Sequence, residues 1–445
     1  MKTELSRRRK AAAFCFSVLL AIGVVFSGFA ACGFGSPFVG AAYAASYDAE
    51  DVPVSQDGVT FTCDFLDDGT AVVTKIVADD GVTTVSVPSS LANNGKDYTV
   101  TGVRFPYGTK GSDVEQLILP DTLQTMSGYY FSKFKKVKEL TIPGSVTNFS
   151  CTLQNSESLE KLVFSEGVEE LSANMMVDKC GNLKEIVLPS TLKSISQPGA
   201  FSGASALETI NLPDGVEFGE NVGSAFSDCS SLTSITLPAS VTTIHSSMFK
   251  GCDSLTSITA KGNIESIGNS AFSGCKALTE VALQGNLTSV GDSAFQNCSS
   301  LENAPDLSAV AKLGSYAFYN CNSLSCSVDL SSLSEVPGYA FCYAPVTVEK
   351  FSDSLKTIDK WALIWATIED DLPVTLQSIG DYAFYLCDLP ETFAIPDSVT
   401  SIGTGAFGET TGVKEITIGS GLTSISEGAF SESSVSKNPD QQQRR

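Results

Sequence analysis

The chain has 445 residues, with 50 acidic against 28 basic side chains and a net charge of −22. That excess of acid repels phosphate backbones and argues against nucleic acid as a partner; its plain use is to keep a large protein soluble, with attraction of a basic partner as the alternative. A single histidine, His245, excludes a Ser-His-Asp triad, a Cys-His pair and multi-histidine metal centres.

At the N-terminus, Arg7, Arg8, Arg9 and Lys10 stand directly before an uncharged apolar run from Ala11 to Ala31, and Ala42-Tyr43-Ala44 offers a small-residue cleavage site. This order predicts a signal peptide over residues 1–44 and a mature chain beginning near Ala45, secreted or held at the cell surface. Two other outcomes stay open. The apolar run is long enough to persist as an uncleaved membrane anchor, and Phe29-Ala30-Ala31-Cys32 resembles a lipobox that would lipidate Cys32. All three place the chain outside the cytoplasmic membrane, and no later segment is apolar enough to cross one.

Residues 45–113 read as a β-rich cap. Asp67-Asp68-Gly69, Asp79-Asp80-Gly81 and Asn93-Asn94-Gly95 punctuate strand-like stretches at Ala71-Val73, Val82-Val87 and Tyr98-Val100, the pattern of β-hairpins. The Asp-Asp-Gly turns lack the alternating Asp ligands of a calcium loop. Such hairpins would cover the open first edge of a repeat stack that begins at Val114.

From Val114 to Ser434 the chain repeats with a period of about 23 residues. Ladder rings recur at Phe201, Phe226, Phe249, Phe272, Phe295, Phe318, Phe341, Phe384, Phe407 and Phe430, all but Phe249 preceded by Ala. Trp361 is expected to supply the ring between Phe341 and Phe384, and Met176 to mark the same place in a divergent upstream unit. One unit runs Leu232-x-x-Ile235-x-Leu237-Pro238, then Val241-x-x-Ile244, then Met248-Phe249, then Cys252. Ile235 and Leu237 alternate with Ser234 and Thr236 as in a strand with one buried face. Pro238 ends that strand because it cannot donate to a ladder. About six large apolar side chains per unit cannot offset the entropy of ordering its backbone, so stacking is compulsory: strands pair in parallel, and each apolar position becomes a ladder. About fourteen strands at ~4.8 Å spacing predict a surface roughly 60–70 Å long. Asp306 and Asp329 stand where the pattern expects Leu, so the sheet should bulge or kink there. Beyond Phe430 the sequence turns to Ser, Glu and Gln with no further strand, and residues 435–445 read as a disordered tail, which leaves the last edge for a partner or a longer chain to cover.

Of thirteen cysteines, Cys15 and Cys32 fall in the leader. Cys229, Cys252, Cys275, Cys298, Cys321 and Cys387 each lie three residues after a ladder Phe, where other units place Ala204, Ala344, Thr410 or Ser433. That substitution pattern describes a small buried site and favours free thiols, with disulfides between stacked neighbours as the alternative. No Cys-x-x-Cys pair supports zinc. Scattered carboxylates show no focus for glycoside hydrolysis, and His245, just after Ile244, is expected to be an exposed loop residue. Leu119-Pro120-Asp121-Thr122 and Leu188-Pro189-Ser190-Thr191 begin like a sortase signal but are strand ends, since both are internal and continue with Leu.

The Leu-x-x-Ile-x-Leu pattern, with its Ile-Gly and Ala-Phe segments and a Cys before the next Leu, resembles the BspA-like leucine-rich repeats of bacterial surface proteins. The resemblance covers about 320 residues. It implies a right-handed solenoid with a parallel sheet along one side and a role in adhesion to host matrix proteins or other cells. No family motif fixes a ligand.

The fold expected is therefore a leucine-rich-repeat solenoid over 114–434 behind a hairpin cap, with no catalytic residue, cofactor or metal. Its candidate ligand face is the row of outward strand positions, Glu139, Glu185, Thr209, Ser234, Thr236, Ser257, Thr259 and Glu280, offered to an extracellular protein or glycan, from host matrix or neighbouring cells. The alternative is a structural surface-layer component that self-associates through its solenoid. No membrane is expected for the mature chain unless Cys32 is lipidated or the leader is retained. N-terminal sequencing of the protein from its native host should begin near Ala45; a protein starting at Met1 in the cytoplasm would overturn the export argument.

Overall fold

A computed structural model describes residues 46–173, 176–220 and 222–435. The expected signal peptide, Cys32 and the tail from 436 onward lie outside the described residues.

The chain opens with an antiparallel meander of Tyr47–Gln56, Val59–Leu66 and Thr70–Ala78. Its first turn places Asp57 and Gly58 at φ 50° and 75°, the left-handed pair that a two-residue hairpin of native twist requires. Val59, Phe61, Cys63 and Phe65 alternate inward. A second hairpin joins Ser90–Asn93 to Lys96–Phe105 through Asn94-Gly95, again left-handed. Val82-Val87 departs from the expected hairpin pattern: Thr84–Ser86 pairs in parallel with Gln116–Ile118, stacking Val85 on Leu117. Parallel stacking thus begins upstream of Val114. Lys96–Phe105 joins the two architectures, since it pairs in parallel with Thr70–Ala78 on one side and with Thr125–Gly128 on the other.

Regular later rungs make three lines of contact with the next. The first is the expected strand, as where Ser234–Leu237, Ser257–Asn263 and Glu280–Gln284 pair with Ile235, Ile258 and Val281 inward. The second is a ladder of two-residue strands at the Val-x-x-Ile segment, such as Thr243–Ile244, Ser266–Ile267, Ser289–Val290 and Lys312–Leu313. It packs closely: a Cβ on Gly291 would fall 2.6 Å from the Asn269 backbone nitrogen, so only glycine fits after the buried Val290. The third is the Ala-Phe turn. There the Phe249 N–H donates to the Ala271 carbonyl at 2.8 Å and the Phe272 N–H to Ala294 at 2.7 Å, while the residues two before and two after each ladder ring take left-handed backbones, as at Ser247 and Gly251.

The ladder rings stack face to face. Phe226, Phe249, Phe272, Phe295, Phe318 and Phe341 follow one another at 5.0–5.5 Å with planes within 11°. Phe430 stacks on Phe407 at 5.3 Å but is only partly buried. Two expected members are displaced. Leu363, whose N–H donates to the Ala383 carbonyl and which receives Phe341 through Ala362, holds the ladder position; Trp361 lies two residues earlier, left-handed at φ 58° and partly exposed. Upstream, Val177 holds it and Met176 occupies the preceding Ala site, because Leu153 donates to the Met176 carbonyl. Side-chain size is a poor guide in both rungs, where backbone register decides.

Among the described residues the eleven cysteines are free, and all but the half-buried Cys326 are buried. Their thiols tie rung to rung. Cys252, Cys275, Cys298 and Cys321 each donate to the ladder carbonyl of the preceding rung, Phe226, Phe249, Phe272 and Phe295 respectively, at 3.1 Å. Burial pushes the thiols of Cys229, Cys275 and Cys321 up to about 12, and a thiol held protonated is a poor nucleophile.

Sheet regularity fails at the two rungs with Asp in place of Leu, as expected. Asp306 accepts the Ser308 N–H at 2.9 Å and Asp329 the Ser331 N–H at 2.8 Å, side-chain turns that compete with strand pairing. No strand forms over 301–306, and the pairing of Ser327–Leu330 slips between Val328 and Asp329.

Phe272→Ala should cost roughly 3–5 kcal/mol and Leu363→Ala roughly 2–5 kcal/mol, with proteolysis opening the adjoining rungs first. Trp361→Gly should leave the melting temperature nearly unchanged, and equal losses for Leu363→Ala and Trp361→Gly would refute this register. The native protein should react slowly with a thiol-specific reagent and fully after denaturation; disulfide-linked fragments in a non-reducing digest would contradict the free-thiol ladder.

Candidate functional site

The candidate face is exposed throughout: Glu139, Glu185, Thr209, Ser234, Thr236, Ser257, Thr259 and Glu280 all lie at the surface. It is not one continuous ribbon. Glu139–Ile142, Lys161–Phe164 and Glu185–Val187 form one three-stranded patch, and the strands from Ser234 to Gln284 form another. Between them the rung over 207–213 keeps Leu207 and Ile210 buried but pairs as a strand with neither neighbour. Thr209 therefore stands on an irregular loop, a correction to its expected place in a strand.

The two patches differ in chemistry. In the first, Glu139, Lys161 and Glu185 sit side by side in register, and Lys161 Nζ lies 3.1 Å from Glu185 Oε2. An exposed pair of this kind contributes little to stability, so the row is an alternating-charge surface free to exchange partners. In the second, Ser234, Ser257 and Glu280 form one row and Thr236, Thr259 and Ala282 the next. Parallel pairing brings like positions of successive rungs together, and that alone aligns the hydroxyls.

His245 was expected in an exposed loop. It is half-buried beside a shallow groove of about 350 Å³ over the second strand ladder, with Gly268, Gly291, Asp292 and Lys312 among its walls. Burial holds its imidazole below the usual histidine range, and no second histidine exists to work with it. Among the described residues, no group of three or more His, Cys, Asp or Glu side chains is placed to hold a metal ion.

One surface goes beyond the sequence-based expectation. Tyr316, Tyr339, Trp361 and Tyr382 occupy the left-handed position two residues before the ladder residue in four consecutive rungs. They stack on one another at 4.6, 6.1 and 4.6 Å. Beside them, Tyr319, Tyr343, Trp365 and Tyr385 form a second row, its rings turned by 56–83° from the rings they touch. Tyr316 and Trp365 are the most open, at 37% and 44% exposed. A bulky residue in the left-handed region costs on the order of 1 kcal/mol or more, and each ring contact returns about 0.5–1.5 kcal/mol. These roughly balance, so the stripe is not what holds the rungs together. Rungs with Ser247, Ser270 and Ser293 at the same position stack equally well. The signal is present in the sequence as Tyr-Ala-Phe, Tyr-Ala-Phe, Trp-Ala-Leu and Tyr-Ala-Phe in succession, where the stronger periodicity of the ladder ring masks the residue in front of it.

Beyond Tyr382 and Tyr385 the stripe gives way to a shallow groove of about 250 Å³ whose walls include Gly405, Gly408 and Glu409. The Tyr385 hydroxyl donates to the Glu409 carboxylate, a bond that pushes the phenol above its ordinary range.

Comparison with known proteins agrees with this architecture. A crystal structure of a leucine-rich repeat protein from Bacteroides ovatus is 23% identical, covering 86% of this chain and 92% of that one with a TM-score of 0.60. A leucine-rich cell surface protein from Faecalibacterium prausnitzii is 19% identical over 87% of this chain and 82% of its own, with a TM-score of 0.31. The T. pallidum leucine-rich repeat protein is 19% identical over 59% and 87%, with a TM-score of 0.32. No curated protein matches the sequence. The family model for the BspA type leucine rich repeat region matches residues 107–222, 200–325 and 334–439. With most of its length matched and each matched stretch stacking as parallel rungs, the chain belongs to the BspA type leucine-rich repeat family.

Proposed function

We propose that this protein is exported and acts at the cell surface or beyond it as a non-enzymatic binding protein, an adhesin for an extracellular protein or glycan of host matrix or neighbouring cells. The basic, apolar and small-residue order of residues 2–45 supports export. The observation that carries the binding role is the repetition of exposed strand positions in register, above all Ser234-Ser257-Glu280 and Thr236-Thr259. A ligand lying across them meets several weak contacts whose energies accumulate. The interruption at Thr209 limits such a contact to a few rungs at a time.

A structural, self-associating role is the second reading, and the exposed Ile418 and Ile425 on the last rungs favour it. Sedimentation velocity over a wide concentration range separates the two, since a strict monomer would remove the structural version.

Replacing Thr236, Thr259 and Glu280 together by Lys places three positive charges on neighbouring strands without touching the core. Stability should move by only about 0.5 kcal/mol per site. Binding to immobilised extracellular matrix should fall at least several-fold while the melting temperature holds. A triple variant that binds as well as the parent would remove the strand face as the contact surface.

A further inference from the structure

We propose that the aromatic stripe spanning Tyr316 to Tyr385 is a second binding surface, and that its ligand is an extended, uncharged polysaccharide. It uses a different segment of each rung from the strand face and stands independently of it.

The stripe is confined to four rungs. The equivalent left-handed positions are Ser247, Ser270 and Ser293 before it and Gly405 and Gly428 after it. Small residues suit that backbone, so a run of Tyr and Trp there is an addition to what folding needs.

Its shape selects the class of ligand. The first row is stacked ring on ring at 4.6–6.1 Å, which leaves no slot for an inserted side chain. Protein partners anchor through side chains that fill pockets, and proline-rich peptides seat in grooves between aromatic rings; neither finds a seat on a closed stack. The second row is turned away from that stack. Trp365, with Tyr343 as its one ring neighbour among the described residues, is 44% exposed. A flat, partly open indole is a platform for the C–H face of a sugar ring, while the phenol hydroxyls take the sugar hydroxyls.

Charge narrows the choice further. Asp359, Asp381 and Glu409 are exposed along the stripe, against Lys360, which lies over the Tyr339 ring at 5.8 Å. Carboxylates accept hydrogen bonds from neutral sugar hydroxyls and repel sulfated, phosphorylated or uronic acid polymers. The period fits as well. Successive rings advance by about the length of one pyranose, so a straight, equatorially linked chain of the β-1,4 type presents one sugar to each rung, and contacts accumulate along it.

The chain contains two tryptophans, Trp361 and Trp365, and both lie in the stripe, so tryptophan emission, excited selectively over tyrosine, reports on this surface alone. The full mature chain would be titrated with cellohexaose, xylohexaose and mannohexaose, following tryptophan emission and, in parallel, calorimetric heat. At least one hexaose should shift the emission saturably and bind at least about tenfold tighter than its disaccharide. Trp365→Gly suits the local backbone, at φ 73°, so the variant should fold with an unchanged melting temperature and lose at least about tenfold in calorimetric affinity, one ring platform being removed from a multivalent contact. The triple Lys variant of the strand face should bind the same hexaose as the parent does. The proposal is overturned if no hexaose gives heat or an emission change, if Trp365→Gly binds like the parent, if the strand-face variant loses the sugar, or if the emission answers only to a proline-rich peptide or to dextran sulfate. Loss of the sugar by the strand-face variant would move the sugar site to that face; the other failures leave the strand-face reading to its own test, matrix binding.

Discussion

A single rung of this chain cannot satisfy its own main chain. Buried N–H and carbonyl groups must be paired, and here the partners are in the next rung: Phe249 N–H reaches the Ala271 carbonyl, Ser247 that of Asn269, and Gly251 that of Ser273. The same holds at the two strand ladders. This inter-rung bonding fixes a spacing of about 5 Å between equivalent atoms, and the rest of the molecule depends on that spacing. Rings at one position must stack face to face, as from Phe226 to Phe341. Where two backbones cross most closely, as at Gly291, no side chain has room.

The spacing also explains why cysteine suits the turn after the ladder ring. The Phe249 carbonyl takes the Cys252 N–H of its own rung and the Cys275 thiol of the next. A thiol is small enough for the gap and still carries one weak donor for a second lone pair. Alanine at 204 and 344 fills the space without that bond, and Thr410 turns its hydroxyl to the Phe407 carbonyl of its own rung. Keeping shape while varying chemistry is what a ladder site demands, and burial there holds the thiols protonated.

The spacing leaves side chains free at two kinds of position. Outward strand positions are unconstrained by packing, so Ser, Thr, Lys and Glu alternate there from patch to patch. The left-handed turn positions are constrained in backbone but open in side chain, so they accept serine in some rungs and aromatic rings in others. Both surfaces inherit their regularity from the core. A ligand that recognises either reads a repeated motif, which favours long polymers and broad contacts over a single deep pocket.

Periodicity alone was enough to give the solenoid, the inward ladders, the small cysteine site and the trouble at Asp306 and Asp329, because each of these is local to one rung and recurs with the repeat. The outward positions were legible for the same reason, since alternation in a strand assigns faces without further information. Register between rungs was not local. Large side chains pointed to Trp361 and Met176 as ladder members, and only the hydrogen bonds to Ala383 and Met176 assigned the position to Leu363 and Val177. Whether Thr209 lies in a strand, whether Val82-Val87 pairs within a hairpin or with Gln116–Ile118, and how far His245 is covered were likewise decided by neighbours distant in sequence. The aromatic stripe belongs to the same class. Its residues stand about 22 apart in the chain and become one surface only when stacking sets them 4.6–6.1 Å from each other.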